Sequence, residues 1–173
     1  MNDIKNIFKT IDPEEITTNF FHELNVNWAL LTSGNRDNYN TMTVSWGNTG
    51  ILWHEPVVIV YCRPQRYTFE FLNKHDYYTL SLFDPEYKHI VQYCGSHTGR
   101  NVNKIQETGL KPLFTEKGNI GYEQSKLVLE CQIIYSDDIK ESNFIDKSLV
   151  GSIYPGKDFH RFFIGRITGC YIK

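Results

Sequence analysis

A 173-residue chain with a formal charge of −2 lacks the net basic face that nucleic-acid binding requires, and no apolar run approaches the roughly 20 residues needed to cross a bilayer. Its four cysteines (Cys62, Cys94, Cys131, Cys170) form no Cys-x-x-Cys pair and its six histidines no close cluster, so neither a metal site nor a redox dithiol is expected. Met1–Lys5 shows no charged-then-apolar leader, which sets the expectation of a cytoplasmic protein, and the length suits one domain over 1–173.

Asp12-Pro13-Glu14-Glu15 reads as a capped helix start, with Ile16, Phe20 and Leu24 as a buried stripe down to about Asn25. Val26–Ser33 is a predicted strand, with Trp28 and Leu30 on one face and Ala29 and Leu31 on the other. After the polar turn 34–38, Asn40-Thr41-Met42-Thr43-Val44-Ser45-Trp46 alternates hydroxyl and larger residues. That period of two predicts a strand whose hydroxyl face and backbone edge can meet a flat, polar-rimmed ligand. The plainer alternative is a half-wet strand.

Gly47-Asn48-Thr49-Gly50 is expected to turn, and Val57–Cys62 to be a strand buried on both faces. Arg63 and Arg66, with Tyr67 and Thr68 opening a predicted helix to Lys74, read as an anion site, or as two solvated arginines on a loop. Tyr77–Phe83 is a predicted strand, and Asp84-Pro85-Glu86 starts a helix reaching Cys94, with Gly95 as terminator. Gly95-Ser96-His97-Thr98-Gly99-Arg100, followed by Asn101, Asn103 and Lys104, mixes small residues, hydroxyls and cations as a phosphate group wants. It matches neither the P-loop nor the dinucleotide fingerprint.

A short helix to Thr108 precedes brief strands at 111–115 and 119–123. Lys126–Tyr135 places Leu127, Leu129, Cys131, Ile133 and Tyr135 on one face; a loop covers 136–146, and Phe159–Tyr171 is the last strand. Seven or eight strands with three or four short helices predict a mainly β, antiparallel barrel with peripheral helices.

The stretches Asn40–Gly47, Arg63–Thr68 with Phe71, Cys94–Arg100 with Lys104, and Tyr154–Gly165, taken in order, resemble the flavin reductase-like family, in particular its flavoredoxin-type branch. The resemblance implies an FMN-binding split β-barrel of Greek-key type, working as a homodimer with FMN near the subunit interface. It implies Thr98, Arg100 and Lys104 at the phosphate, then Arg66 and Thr68, with Arg63, Tyr67, Cys94, Gly95, Ser96 and Gly99 nearby. Thr41–Ser45 would bond the ring through backbone, with Asn40, Met42, Val44 and Trp46 beside it, and Ser81 and Leu82 lining the same cleft. His160, which follows a turn and opens a strand, is the one side chain offered as catalytic; the alternative is a partly buried histidine hydrogen-bonded to backbone.

NAD(P)H is the expected donor. Free flavin, a ferric complex or a redox partner protein is the expected acceptor. A non-catalytic FMN carrier or sensor is the alternative, and an oligonucleotide-binding barrel is opposed by the acidic balance. Thiol chemistry at Cys94 has no sequence support beyond a nearby helix end. Asn101, Asn103, Gln124, Ser125 and Arg166 depart from the family pattern. If the acidic residues lost there help shape the pocket or the acceptor surface, acceptor choice would differ in this chain.

Overall fold

The computed structural model describes residues 2–173; Met1 lies outside the described residues. In chain order the elements are β1 (Lys9–Thr10), α1 (Phe20–His22), β2 (Ala29–Gly34), β3 (Tyr39–Val44), β4 (Gly47–Leu52), β5 (Glu55–Cys62), α2 (Tyr67–Leu72), β6 (Tyr77–Phe83), α3 (Lys88–Ser96), α4 (Lys104–Thr108), β7 (Pro112–Phe114), β8 (Ile120–Tyr122), β9 (Ser125–Asp138), α5 (Ser148–Ile153) and β10 (Arg161–Ile172).

The main sheet runs β3-β2-β6-β9-β10-β5-β4, antiparallel throughout, with β1 added to β10 and a separate β7-β8 pair. Its two end strands, β3 and β4, are joined by Ser45 and Trp46 alone. At ~3.5 Å per residue that link reaches only about 10 Å, so the sheet must curl until its edges nearly meet. The result is an antiparallel barrel split between β3 and β4, with Ser45-Trp46 crossing the split.

Strand alternation fills the barrel. Ala29, Leu31, Met42, Val44, Val58, Val60, Leu80, Leu82, Leu129 and Phe163 form one interior cluster. The opposite set, Leu30, Phe83, Val91, Cys94, Ile120 and Tyr122, packs α3 and β8 against the outside of β2 and β6. The face assignment predicted for Trp28–Leu31 holds. Tyr78 crosses the interior to donate to the Val58 carbonyl at 2.6 Å. Residue 165 is glycine because a Cβ there would sit 2.5 Å from the Tyr78 hydroxyl.

Several local expectations give way to tertiary structure. The helix from Asp12 is a single 3-10 turn over Pro13–Glu15, although the capping box is present. Thr17-Thr18 disfavours helix by β-branching, and Asn19 caps a new start at His22 N–H, 3.2 Å away. One α turn then passes into a π turn over Glu23–Asn27. Leu24 is still buried, with Ile16 and Phe20 packed beside it.

Gly47–Gly50 is not a turn but the start of β4, paired to β5. The reversal comes at Trp53-His54, both at positive φ (53° and 62°), as a two-residue hairpin with right-handed twist requires. β5 is not buried on both faces: Ile59 and Tyr61 are only half-buried. Tyr135 leaves the interior face of β9 because Ile134 is a bulge residue, which shifts the alternation by one.

Candidate functional site

The free edge of β3 forms the floor of a groove. One wall is the loop from the end of β5 into α2, carrying Arg63, Arg66, Tyr67 and Thr68. The other is the α3–α4 loop, carrying His97, Thr98, Gly99, Arg100 and Lys104. Three abutting chambers of about 550, 440 and 190 Å³ follow this edge toward Trp46. The first two share Asn40, Tyr67, Gly99 and Lys104; the second and third share Met42, Arg63 and Arg66.

Most of the sequence-predicted residues therefore converge, but not always as expected. The hydroxyl face of β3 is not open. Thr41 bonds Thr32 at 3.0 Å, whose hydroxyl also meets Tyr122 at 3.1 Å. Thr43 donates to the Val91 carbonyl of α3, which packs Gly95 directly over it. What borders the groove is the strand edge. Thr68 is fully buried and its hydroxyl accepts from Asn40 Nδ2 at 2.7 Å, clamping α2 to β3. A Cβ on Gly99 would collide with the Asn40 amide oxygen, so glycine is required for this close approach.

Ser81 and Leu82 are corrected outright. They are fully buried on β6, with β2 between them and β3, and border none of these chambers. The Cys94 thiol is buried and burial pushes it up to about 11, so it is inert at neutral pH. Ser96 turns back onto its own helix, donating toward the Gln92 and Tyr93 carbonyls.

The groove's cations differ in their partners. Arg63 pairs with Asp158, donates to the Ile153 carbonyl at 3.0 Å and lies over the Tyr154 ring. Arg100 pairs with Glu70 and lies over Tyr67. Lys104 is 6% exposed, and its Nζ donates to the Thr41 and Cys94 carbonyls, both at 2.7 Å. Burial lowers its pKa to about 8, and it remains charged at neutral pH. Arg66 donates to the Gly95 carbonyl at 3.0 Å and makes no ion pair among the described residues. Asp158 is held below the usual carboxylate range by Arg63 and then Gln65.

At the far end His160 packs its ring against Trp46, with centroids 5.0 Å apart. Its Nδ1 shares a 2.9 Å hydrogen bond with the Tyr154 hydroxyl. Burial, then Arg63, lowers its pKa to about 4, so the imidazole is neutral at pH 7. Sequence reasoning missed Glu70 and Tyr154 as partners of the groove; their alignment depends on the tertiary placement of α2 and the turn before β10. It also missed a fourth chamber of about 480 Å³ beyond Trp46, formed by α1, β4 and Tyr61.

The departures from the family pattern lie mostly elsewhere. Gln124 holds the Gly109 carbonyl and the Lys111 N–H, Ser125 is buried, and Arg166 pairs with Glu55. None of the three borders these chambers, which removes the reason to expect an altered pocket from Gln124-Ser125. Asn101 and Asn103 do border the 550 Å³ chamber, and Asn103 caps α4. No helix among the described residues is long and apolar enough to cross a membrane, and no group of three or more His, Cys, Asp or Glu there can hold a metal ion.

This donor set fits a ligand with a phosphate at one end and a flat ring at the other. Arg66, the Thr98 hydroxyl and the remaining Lys104 N–H meet in one chamber, while the narrow chamber between the β3 edge, Trp46 and His160 suits a planar group.

The model of the flavin reductase-like domain matches residues 21–173. No curated protein matches the chain. Among solved structures, it is similar to a flavoredoxin from Methanosarcina acetivorans (19% identity, 84% of this chain and 68% of that one, TM-score 0.65). It is also similar to an FMN-binding protein from Thermus thermophilus (20% identity, 84% and 71%, TM-score 0.66). A third similar structure is an NADH:FAD oxidoreductase from Streptomyces globisporus (14% identity, 84% and 75%, TM-score 0.65). At these identities the likeness is one of fold.

Proposed function

Because this chain belongs to the flavin reductase-like family, we propose that it binds FMN along the β3 edge and acts as an oxidoreductase, taking electrons from NAD(P)H and passing them to a flavin, ferric or protein acceptor. The observation that carries this reading is the convergence of three sequence-distant segments on one groove, with unpaired Arg66 at its anion end. The similarity to an FMN-binding protein from Thermus and an NADH:FAD oxidoreductase from Streptomyces supports the cofactor and the donor.

When bound, FMN supplies hydride acceptance and release. The chain supplies binding, orientation and electrostatics. Arg66 and Thr98 hold the phosphate, with Lys104 fixing the β3 edge to the end of α3 while lending its charge. Arg100 can join them only by loosening its pair with Glu70. At the ring end, backbone groups of Met42–Ser45 would meet the polar rim, and the Arg63 guanidinium would stabilise negative charge in that chamber. Tyr154 fixes the His160 ring, which with Trp46 closes the end of the chamber and limits water.

The chain is further proposed to pair with a second copy. Trp53 and Tyr135 are 57% and 46% exposed, and with Phe162 and Tyr61 they form a chain of neighbouring rings across β9, β10 and β5, and β4 next to them has an unpaired edge. Exposed apolar area and an open edge of this kind call for a partner.

Titration of the purified protein with FMN and riboflavin tests the cofactor assignment. FMN should bind roughly tenfold or more tighter than riboflavin, the value of one or more charge-assisted phosphate contacts. A protein that takes up neither flavin contradicts the proposal.

A further inference from the structure

The groove's anion end is built around the carboxyl end of α3, which by itself would repel an anion, because the last carbonyls of a helix carry partial negative charge. Three successive carbonyls there are each met by a side chain that is cationic or can become so. Arg66, from the loop before α2, donates to the Gly95 carbonyl at 3.0 Å. Lys104, from α4, donates to the Cys94 carbonyl at 2.7 Å. The third is His97, directly after the helix, whose Nδ1 lies 3.1 Å from the Tyr93 carbonyl. All three side chains line the same 440 Å³ chamber.

The contacts of His97 fix its tautomer. A carbonyl only accepts, so Nδ1 carries the hydrogen. The Ser96 hydroxyl, 3.0 Å from Nδ1, is itself donating to backbone and can accept there too. Nε2 is then the nitrogen left for a ligand: a lone pair when the ring is neutral, a donor when it is protonated. The ring lies flat on Tyr93, with centroids 3.9 Å apart and planes 14° from parallel. Desolvation, then the Glu107 carboxylate of α4, raises the Tyr93 phenol, so that face is an uncharged aromatic surface, which attracts an imidazolium. The other charges lining the chamber are all positive: Arg63, already paired with Asp158, and Arg66 from the loop into α2, and Lys104 from α4. No carboxylate among the described residues lines it. These cations oppose one more until an anion enters.

We propose that His97 completes the phosphate site in its imidazolium form, donating from Nε2 to the FMN phosphate, so that loading the cofactor draws a proton from solvent onto the ring. The phosphate supplies the negative charge the chamber lacks, and the Tyr93 ring and carbonyl hold the imidazole in place. Mild acid then favours loading. The assignment rests on the flavin reading above and concerns the phosphate alone, since riboflavin gives Nε2 no anion to meet.

Titration of the apo protein with FMN and with riboflavin, from about pH 8 to about pH 6, in the unsubstituted chain and in His97→Asn, tests this. Residue 97 is exposed just past the helix end, where asparagine is well tolerated. The second ionisation of the phosphate itself, near pH ~6, is common to both proteins and cancels between them. The preference for FMN over riboflavin should rise about fivefold more in the unsubstituted protein than in His97→Asn as pH falls, the gain that one charge-assisted hydrogen bond gives a histidine. Calorimetry in buffers of different ionisation enthalpy should show FMN taking up more protons with the unsubstituted protein. The same pH profile and the same proton uptake in both proteins overturn the assignment and leave the flavin reading standing. A protein that loads neither flavin contradicts both.

Discussion

Arg66 and Arg100 are the same side chain in different electrostatic company, and that difference ranks them. Arg100 already has the Glu70 carboxylate, so an incoming phosphate gains from it only what it takes from Glu70. Arg66 has one backbone carbonyl and no carboxylate among the described residues. Arg66→Ala should therefore weaken FMN by about 1.5–3 kcal/mol while leaving riboflavin nearly unchanged, and Arg100→Ala should cost less. Glu70→Gln should tighten FMN, because it releases Arg100 from its competitor. Fluorescence titration of each variant with both flavins checks the order.

His160 makes a separate prediction. Its folded pKa of about 4 lies below the ordinary 6.5, so between those values the unfolded chain binds the proton and the folded one does not. Stability contributed by neutral His160 is then full above pH 6.5 and is lost as pH falls toward 4, by an amount on the order of 2 kcal/mol. Urea unfolding across that range should show a smaller loss for His160→Asn. The site's cations were legible in the sequence because charge and glycine cluster visibly around residues 63–68 and 95–104. Their neutralising carboxylates were not, since Glu70 and Asp158 reach them only through folding.

The β3–β4 unit shows where local pattern suffices and where it fails. Alternation along residues 40–46 matches β3 as far as Val44, and it separated Met42 and Val44, which line the barrel, from the hydroxyl set, whereas Trp46 lies beyond the strand and is half exposed. What covers the hydroxyl face could not be read locally, because α3 arrives from 48 residues away in sequence to take the Thr43 hydroxyl. Gly47–Gly50 carries turn composition, yet pairing with the β-branched run of β5 imposes a strand, an instance of tertiary context overriding propensity. The capping signal at Asp12 was genuine and still nucleated only one turn, since capping sets where a helix begins and not how far it runs.

At the element scale the clamp between β3 and α2 is the test. Gly99→Ala would push on Asn40 and disturb its bond to Thr68. It should cost about 1–3 kcal/mol of stability, measured by chemical denaturation, and weaken FMN along with it. Leu129→Ala, deep in the barrel, should cost about 2–5 kcal/mol through the cavity it leaves.

For the whole molecule, barrel closure brings two sequence-distant loops to one strand edge, and the split places the flat end of the groove beside an aromatic chamber. The antiparallel, mainly β barrel followed from strand count and spacing; the place where it splits did not, since that rests on β3 and β4 ending the sheet while only two residues separate them. If the exposed rings of Trp53 and Tyr135 seat the proposed second copy, Trp53→Asp should shift sedimentation toward monomer. Flavin held on this edge is proposed to carry electrons from a nicotinamide donor. Anaerobic addition of NADH or NADPH to the FMN-loaded protein, followed by visible absorbance, tests it most directly. Rapid loss of the flavin colour at rates well above free FMN is expected; a loaded protein that stays yellow with both donors would contradict electron transfer and leave a carrier or sensor in its place.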